Sequence, residues 1–191
     1  MPPKSRITRP MILDAAIAVV REEGIRALNV RSVATRLKCS TQPVMYHFDT
    51  MTDLRNAVYA IVSEDHKNYI LNVEFDKDPN PCLTVTRNYI RYAAEYPLLF
   101  QFLFQTNKYK NTSIVDLLSG EQLAPILRAI AQTVHLTPEE AREAYAACFI
   151  GIHGLASLLA NNSMEYDPSY CEKLIVHIFQ GVVSSVKQNE D

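Results

Sequence analysis

The sequence predicts an all-α fold of about nine helices: a three-helix N-terminal unit followed by a larger helical bundle. Three observations carry this. Apolar residues recur at three- and four-residue spacing along most of the chain, with no strand-like alternation. Gly is scarce, at 5 of 191 residues, and Trp is absent. Stretches of this periodicity open on Thr, Ser, Asn or Asp, several followed by Pro at the first helical position.

The first helix is expected from about Thr8 to Glu23, with Ile12, Ala15, Ala16, Val19 and Val20 inward and Gly24 as its stop. Asn29 caps a short second helix, Val30 to Leu37. Lys38 and Cys39 form a tight connection. Ser40 is expected to cap a third short helix, Thr41 to Phe48, with Pro43 tolerated in the first turn. Thr52 is expected to cap a long fourth helix, about Asp53 to Asn72, with Leu54, Val58, Ile61 and Val62 inward. A loop over Phe75 to Pro81 ends on the cap Asn80, and the next helix runs to Pro97. Leu98 to Gln105 reads as a short, very apolar helix. Thr106 to Thr112 reads as an exposed loop, and Ser113 to Val134 as one or two helices broken near Gly120. The Thr137-Pro138-Glu139-Glu140 start is a capping box opening a helix to about Ala160. Asp167-Pro168 opens the last helix, to about Lys187.

Composition bounds the function. Apolar residues make up 48% and charged residues 21%, an ordinary globular balance. No run of 18 uncharged apolar residues occurs, so no membrane span is expected, and the basic N-terminus lacks the apolar stretch of a secretory signal. Cys39, Cys82, Cys148 and Cys171 are widely spaced, with no CxxC pair. The expectation is reduced thiols in a cytoplasm and neither metal nor cofactor. No nucleophile–base set, paired carboxylates or Gly-rich phosphate loop appears, so an enzyme is not expected. Net charge is −2, but residues 1–55 carry nine Lys/Arg against five Asp/Glu, while the rest carries ten against sixteen. A basic head on an acidic body suits a polyanion partner.

Two short helices joined by a tight turn, packed on a longer one, make a helix-turn-helix unit whose second helix enters the major groove of DNA. Residues 1–50 would be this DNA-binding head and 51–191 the body. Thr41, Gln42 and Pro43 lie in the first turn of the recognition helix. Thr41 and Gln42 can bond base edges or phosphates, Gln pairs well with adenine, and Pro43 offers an apolar contact. Tyr46 and His47 lie one turn on, within reach of the sugar-phosphate backbone. Arg31, at the start of the preceding helix, is placed for a phosphate or a base. Lys4, Arg6 and Arg9 form a basic arm.

The order Ile12–Ile17, Gly24, Asn29–Ala34, Ser40–Asp49, Leu54 resembles the N-terminal domain of the TetR family over about residues 10–58. The resemblance implies the same first-turn and aromatic positions in DNA contact, giving a DNA-binding set of Arg31, Ser40, Thr41, Gln42, Pro43, Met45, Tyr46 and His47. Three positions depart from the family pattern. Lys38 stands where the turn usually has Gly, and a positive φ there would cost roughly 1 kcal/mol. Met45 replaces a phosphate-contacting Tyr. Met51 replaces the Lys that usually anchors the fourth helix to phosphate.

In the last two helices, stripes of small and apolar residues allow close helix approach: Ala144, Cys148, Gly151 and Leu155 in one, Leu174, Ile178, Gly181 and Val182 in the other. The resemblance implies a four-helix dimer interface built from them. A two-fold dimer would read a near-palindromic operator. The middle helices are rich in aromatics, and Tyr89, Tyr92, Tyr96, Phe100 and Phe104, with His153, are candidates to line a pocket for a small apolar or aromatic effector. Asn88, Gln101 and Gln105 would be its polar groups. Ile152-His153-Gly154 resembles a Trp-His-Gly motif of one TetR subgroup, with Ile in place of Trp. The expected function is a dimeric repressor released from operator DNA by an effector. The alternative is a TetR-fold co-regulator acting through a protein partner.

Overall fold

The computed structural model describes residues 7–74, 77–106, 123–161 and 165–188. All regular structure among them is helical: α1 (Arg9–Glu23), a 3-10 turn (Ile25–Ala27), α2 (Val30–Arg36), α3 (Gln42–His47), α4 (Met51–Ile70), α5 (Pro81–Glu95), α6 (Pro97–Phe104), α7 (Ala124–Val134), α8 (Pro138–Ala160) and α9 (Pro168–Gln188). The expected loop at Thr106 and break near Gly120 lie largely outside the described residues.

Helix boundaries follow local chemistry. Thr8 precedes α1, and Pro10 sits in its first turn, where no N–H is needed. The helix ends at Gly24, whose φ of 83° and ψ of 171° are open to Gly almost alone. Asn29 caps α2 by accepting the Arg31 and Ser32 N–H groups at 2.9 and 3.0 Å, and Ser32 Oγ returns the bond to the Asn29 N–H. Asn80 caps α5 through the Leu83 N–H. Thr137 and Glu140 form the expected capping box of α8. Asp167 accepts the Tyr170 N–H at the start of α9.

Two expected caps are displaced. Thr50, not Thr52, caps α4, because Asp53 lies three residues after it. Thr50 Oγ1 accepts the Asp53 N–H at 3.1 Å, and the Asp53 carboxylate accepts the Thr50 N–H at 3.0 Å. Ser40 makes no capping bond to α3. Thr41 holds that position in helical conformation, also without a side-chain cap. The α3 N-terminus therefore keeps its donors unspent.

One apolar core runs through head and body. Ile12, Ala16, Val19 and Val20 of α1 meet Val33 of α2, Val44 of α3 and Leu54 and Val58 of α4, all fully buried. Farther along α4, Val62 and His66 are buried against the body. Helix α6 packs on α1 as well as on α5 and α8. A Cβ on Gly24 would stand 3.5 Å from Leu98, so the end of α1 lies close against α6. Helix α8 is the body's central element, touching α5, α6, α7 and α9. It is long and apolar enough to cross a membrane, with a mean hydropathy of 1.4 in its most apolar window. Its first turn nevertheless carries Glu139 and Glu140, and its inward positions Ala141, Ala144, Ile152, Leu155, Ala156 and Leu159 serve the core.

Gly24→Ala should destabilise the chain by about 1–3 kcal/mol, the cost of forcing an L side chain into that backbone conformation. Urea unfolding would measure it, and a loss below roughly 0.5 kcal/mol would contradict this account of the α1 stop.

Candidate functional site

The recognition end is built by short-range bonds. After α2 the chain reverses through Lys38 at φ 53°. The Cys39 N–H bonds the Ala34 carbonyl and the Lys38 N–H bonds the Thr35 carbonyl, both at 3.0 Å. This is a Schellman closure with Lys in the left-handed place that Gly usually takes. The strain expected at Lys38 is therefore present. Arg36 clasps Glu22 through two bonds at 2.5 and 2.7 Å, fixing α2 to α1.

These restraints aim α3. Val44 and Phe48 are buried inward, while Thr41, Gln42, Met45 and Tyr46 are exposed along the outer face, Tyr46 at 78%. Pro43 is half-buried on the flank, and exposed Ser40 precedes the helix. His47 is half-buried, and its Nε2 donates to the Ile7 carbonyl at 3.2 Å, tying α3 to the strand of chain entering α1. One ring nitrogen is thus committed to structure. Arg31 is exposed at the start of α2, and among the described residues neither Arg31 nor Gln42 has a side-chain hydrogen bond or ion pair. Arg9 stacks its guanidinium over Phe48 at 4.9 Å, which uses one cation of the basic arm; Lys4 and Arg6 lie outside the described residues. Met51 is half-buried against the core.

The candidate effector residues divide. Tyr89, Phe100, Phe104 and His153 pack ring on ring, joined by His66 and Phe149. The Tyr89 hydroxyl and His153 Nδ1 share a hydrogen bond at 2.7 Å. Burial holds the His153 imidazole below its ordinary pKa, favouring the neutral ring. Tyr92 and Tyr96 instead line a cavity of about 240 Å3 between α1, α4, α5 and α6. A second cavity, of about 200 Å3, lies between α5 and the start of α9. Asn88 and Gln101 serve the frame: their amides donate to the Ile70 and Ala160 carbonyls at 3.3 and 2.7 Å. Gln105 is exposed.

The last two helices pair antiparallel. Gly151 faces Ile178, where an added Cβ would stand 3.2 Å from the Ile side chain. Ala144 joins Val182 and Val186 in a small satellite core, while Leu155, Leu174 and Ile178 join the main one. Half-buried Cys148 lies on the same stripe. Most of the expected small-residue stripe is therefore spent within the protomer. The outward face is the neighbouring stripe: Ala147, Ile150, Gly154 and Leu158 of α8, with Tyr170, His177 and Gly181 of α9. Ile150, Leu158 and Tyr170 are exposed at 56%, 50% and 51%. At about 100° per residue, both sets turn to the side opposite the core. A Cβ added at Gly154 would have nothing within 4 Å among the described residues.

Residues 12–58 match the family model for bacterial regulatory proteins of the tetR family. Residues 82–178, just over half the chain, match the tetracyclin repressor-like C-terminal domain. The chain belongs to the TetR family. Solved TetR-like folds agree. A transcriptional regulator from Rhodococcus sp. Rha1 is 19% identical, with a TM-score of 0.61 over 93% of this chain and 97% of that one. A TetR variant from Acinetobacter baumannii AYE, in complex with minocycline, is 15% identical, with a TM-score of 0.53 over 96% and 97%. No relative is found among curated proteins.

The second helix of the helix-turn-helix, α3 (Gln42–His47), lies within the expected range Thr41 to Phe48. Sequence reasoning missed His66, Tyr69, Asp65 and Arg21. His66 is polar on an inward position of α4, spaced four residues after Val62, and that spacing was its only signal. It is 7% exposed, and its Nε2 finds no hydrogen-bond partner among the described residues. The rings of Tyr89, Tyr92 and Phe104 surround it at 4.7–5.6 Å.

Burial pushes the His66 pKa down to about 4. An unfolded His titrates near 6.5. The unfolded chain thus takes up this proton first, and folding stability falls as pH drops from about 6.5 towards 4. His66→Phe should remove that share of the pH dependence. Urea unfolding at pH 7 and pH 4.5 should show the variant gaining about 2–3 kcal/mol on the wild type between the two; equal pH dependence would show that His66 is not neutral in the fold.

Proposed function

We propose that this TetR-family chain is a dimeric repressor that binds a near-palindromic operator and is released by a small-molecule effector, acting in a cytoplasm. The observation that carries the DNA half is the outer face of α3. Gln42 and Tyr46 are exposed there, as is Arg31 on α2, and among the described residues the Gln42 amide and Arg31 guanidinium have no hydrogen-bond or ion-pair partner. Exposed polar groups on a helix held from behind by Val44 and Phe48 are what base and phosphate contact requires. The charge split between head and body favours the same partner. The head would be residues 1–50, with α4 opening the body.

For dimerisation, we assign the outward face of α8 and α9, centred on Ile150, Gly154 and Leu158. A two-helix apolar face opposite the core suits a four-helix interface with a second copy. Effector release is supported by the cavity that Tyr92 and Tyr96 border; Tyr89, Phe100, Phe104 and His153 are packed ring on ring and line neither described cavity. The resemblance of Ile152-His153-Gly154 to the Trp-His-Gly subgroup belongs to this reading. A protein-directed co-regulator is the second reading. Met45 favours it, being 45% exposed on the face that should meet phosphate.

The decisive assay is competitor-resistant binding to DNA upstream of the chain's own gene, in a salt series. Gln42→Ala should cost roughly 1–3 kcal/mol of operator affinity and narrow the margin over random DNA. Arg31→Ala should weaken binding and, if the contact is phosphate, lower the salt slope by about one. Binding indifferent to sequence in the wild type would sink this reading and favour the co-regulator. In sedimentation, Leu158→Glu should convert dimer to monomer while the helical circular dichroism stays unchanged. A variant that still dimerises would move the interface elsewhere.

A further inference from the structure

The cavity between head and body has the chemistry of a cation site. Ile17 and Arg21 of α1, Asp65 and Tyr69 of α4, Tyr92 of α5 and Tyr96 before α6 all border its volume of about 240 Å3. The three tyrosine rings form a cage. Tyr69 meets Tyr92 at 5.3 Å and Tyr96 at 6.0 Å, both edge to face, and Tyr92 meets Tyr96 at 5.1 Å. Ring faces carry negative quadrupole charge and attract cations.

One of the protein's own cations, Arg21, borders this cavity, and a second, Arg91, lies over Tyr69 while lining the neighbouring cavity. The Arg21 guanidinium lies over the Tyr96 ring at 5.6 Å and that of Arg91 over Tyr69 at 5.3 Å. Arg91 further donates to the Tyr69 hydroxyl and to the Asn88 side-chain Oδ1, at 2.8 and 3.0 Å. Arg21 has no carboxylate within ion-pair distance among the described residues, so the ring is its main hold. Asp65 likewise has no ion-pair partner among them. Burial holds the Tyr92 hydroxyl above the ordinary tyrosine range, with Asp65 adding to the rise and Arg21 opposing it. Both charges are thus close enough to act on the cage.

We propose that this cavity binds a small organic cation of the quaternary-ammonium class, which takes the Tyr96 ring face from Arg21 and places its charge towards Asp65. Arg21 belongs to the DNA-binding head and Tyr96 to the body. Occupancy therefore removes a head–body contact, giving a cation a differential affinity for the states in which the head is loosened. That regulatory consequence rests on the repressor reading above. The site itself does not.

The test is calorimetric titration of the full chain, without DNA, with phenyltrimethylammonium, set against its neutral isostere tert-butylbenzene and the anion benzoate. Saturable binding of the cation alone is expected. Asp65→Asn and Tyr96→Leu should each weaken it by about threefold or more, and Arg21→Ala should strengthen it by a similar factor, since the internal competitor is gone. Arg21 and Asp65 are exposed, so their variants keep the fold, and thermal melts would check this. Absence of saturable cation binding, equal binding of the isostere or benzoate, or weaker binding in Arg21→Ala would overturn the site. Failure to bind operator DNA would leave these outcomes unchanged and would instead overturn the repressor reading.

Discussion

Helix α4 carries one apolar core from the head into the body, and the rest of the molecule depends on that continuity. Its first half buries Leu54 and Val58 against α1, and its second half buries Val62 and His66 among the aromatics of the body. An α-helix advances 1.5 Å per residue, so these twenty residues form a stiff strut of about 30 Å. Its N-terminus is pinned by the reciprocal Thr50–Asp53 bonds. A rotation at one end cannot be absorbed by bending in the middle without breaking helix bonds. The second link, α1 against α6 at Gly24 and Leu98, makes the head a two-point attachment rather than a bead on a string.

That attachment couples the packing of head and body. Close-packed interiors shift between discrete arrangements rather than deforming smoothly. Anything that repacks the aromatic cluster around His66, or the tyrosine cage beside Arg21, acts on α4 or α1 directly. The body's polar economy points the same way. His66 is held neutral, with a nitrogen that has no partner among the described residues, while Tyr89 and His153 bond one another. A buried unpaired donor or acceptor costs about 1–3 kcal/mol. That cost sits on the helix that joins head to body.

The recognition end shows how a weak local choice is carried by its surroundings. Lys38 occupies left-handed backbone where Gly would be free of strain, yet the Schellman bonds and the Arg36–Glu22 clasp hold the turn. The turn angle between α2 and α3 is thereby kept. The side chains of Arg31 on α2 and of Gln42 and Tyr46 on α3 are all exposed.

Much of this was legible in the sequence, because helix starts and inward faces are written locally. Asn29, Asn80, Thr137 and Asp167 cap the helices they were expected to cap, and the inward residues of α1 and α4 fall where periodicity puts them. Of the α3 residues placed in its first turn and one turn on, Thr41, Gln42 and Tyr46 are exposed, while Pro43 and His47 are half-buried. Cap choice failed at Thr52, where Thr50 is the hydroxyl that reaches the Asp53 N–H, and at Ser40, where α3 opens on Thr41 with no side-chain cap. Partner choice was decided by tertiary structure alone. The stripe through Gly151 and Leu155 is equally suited to a mate in the same chain or in another, and Ile178 and the core take it, leaving Ile150 and Leu158 outward. Tyr92 parted from Tyr89 for the same reason: one helix presents several faces, and which one closes and which one borders a cavity depends on helices far away in the sequence.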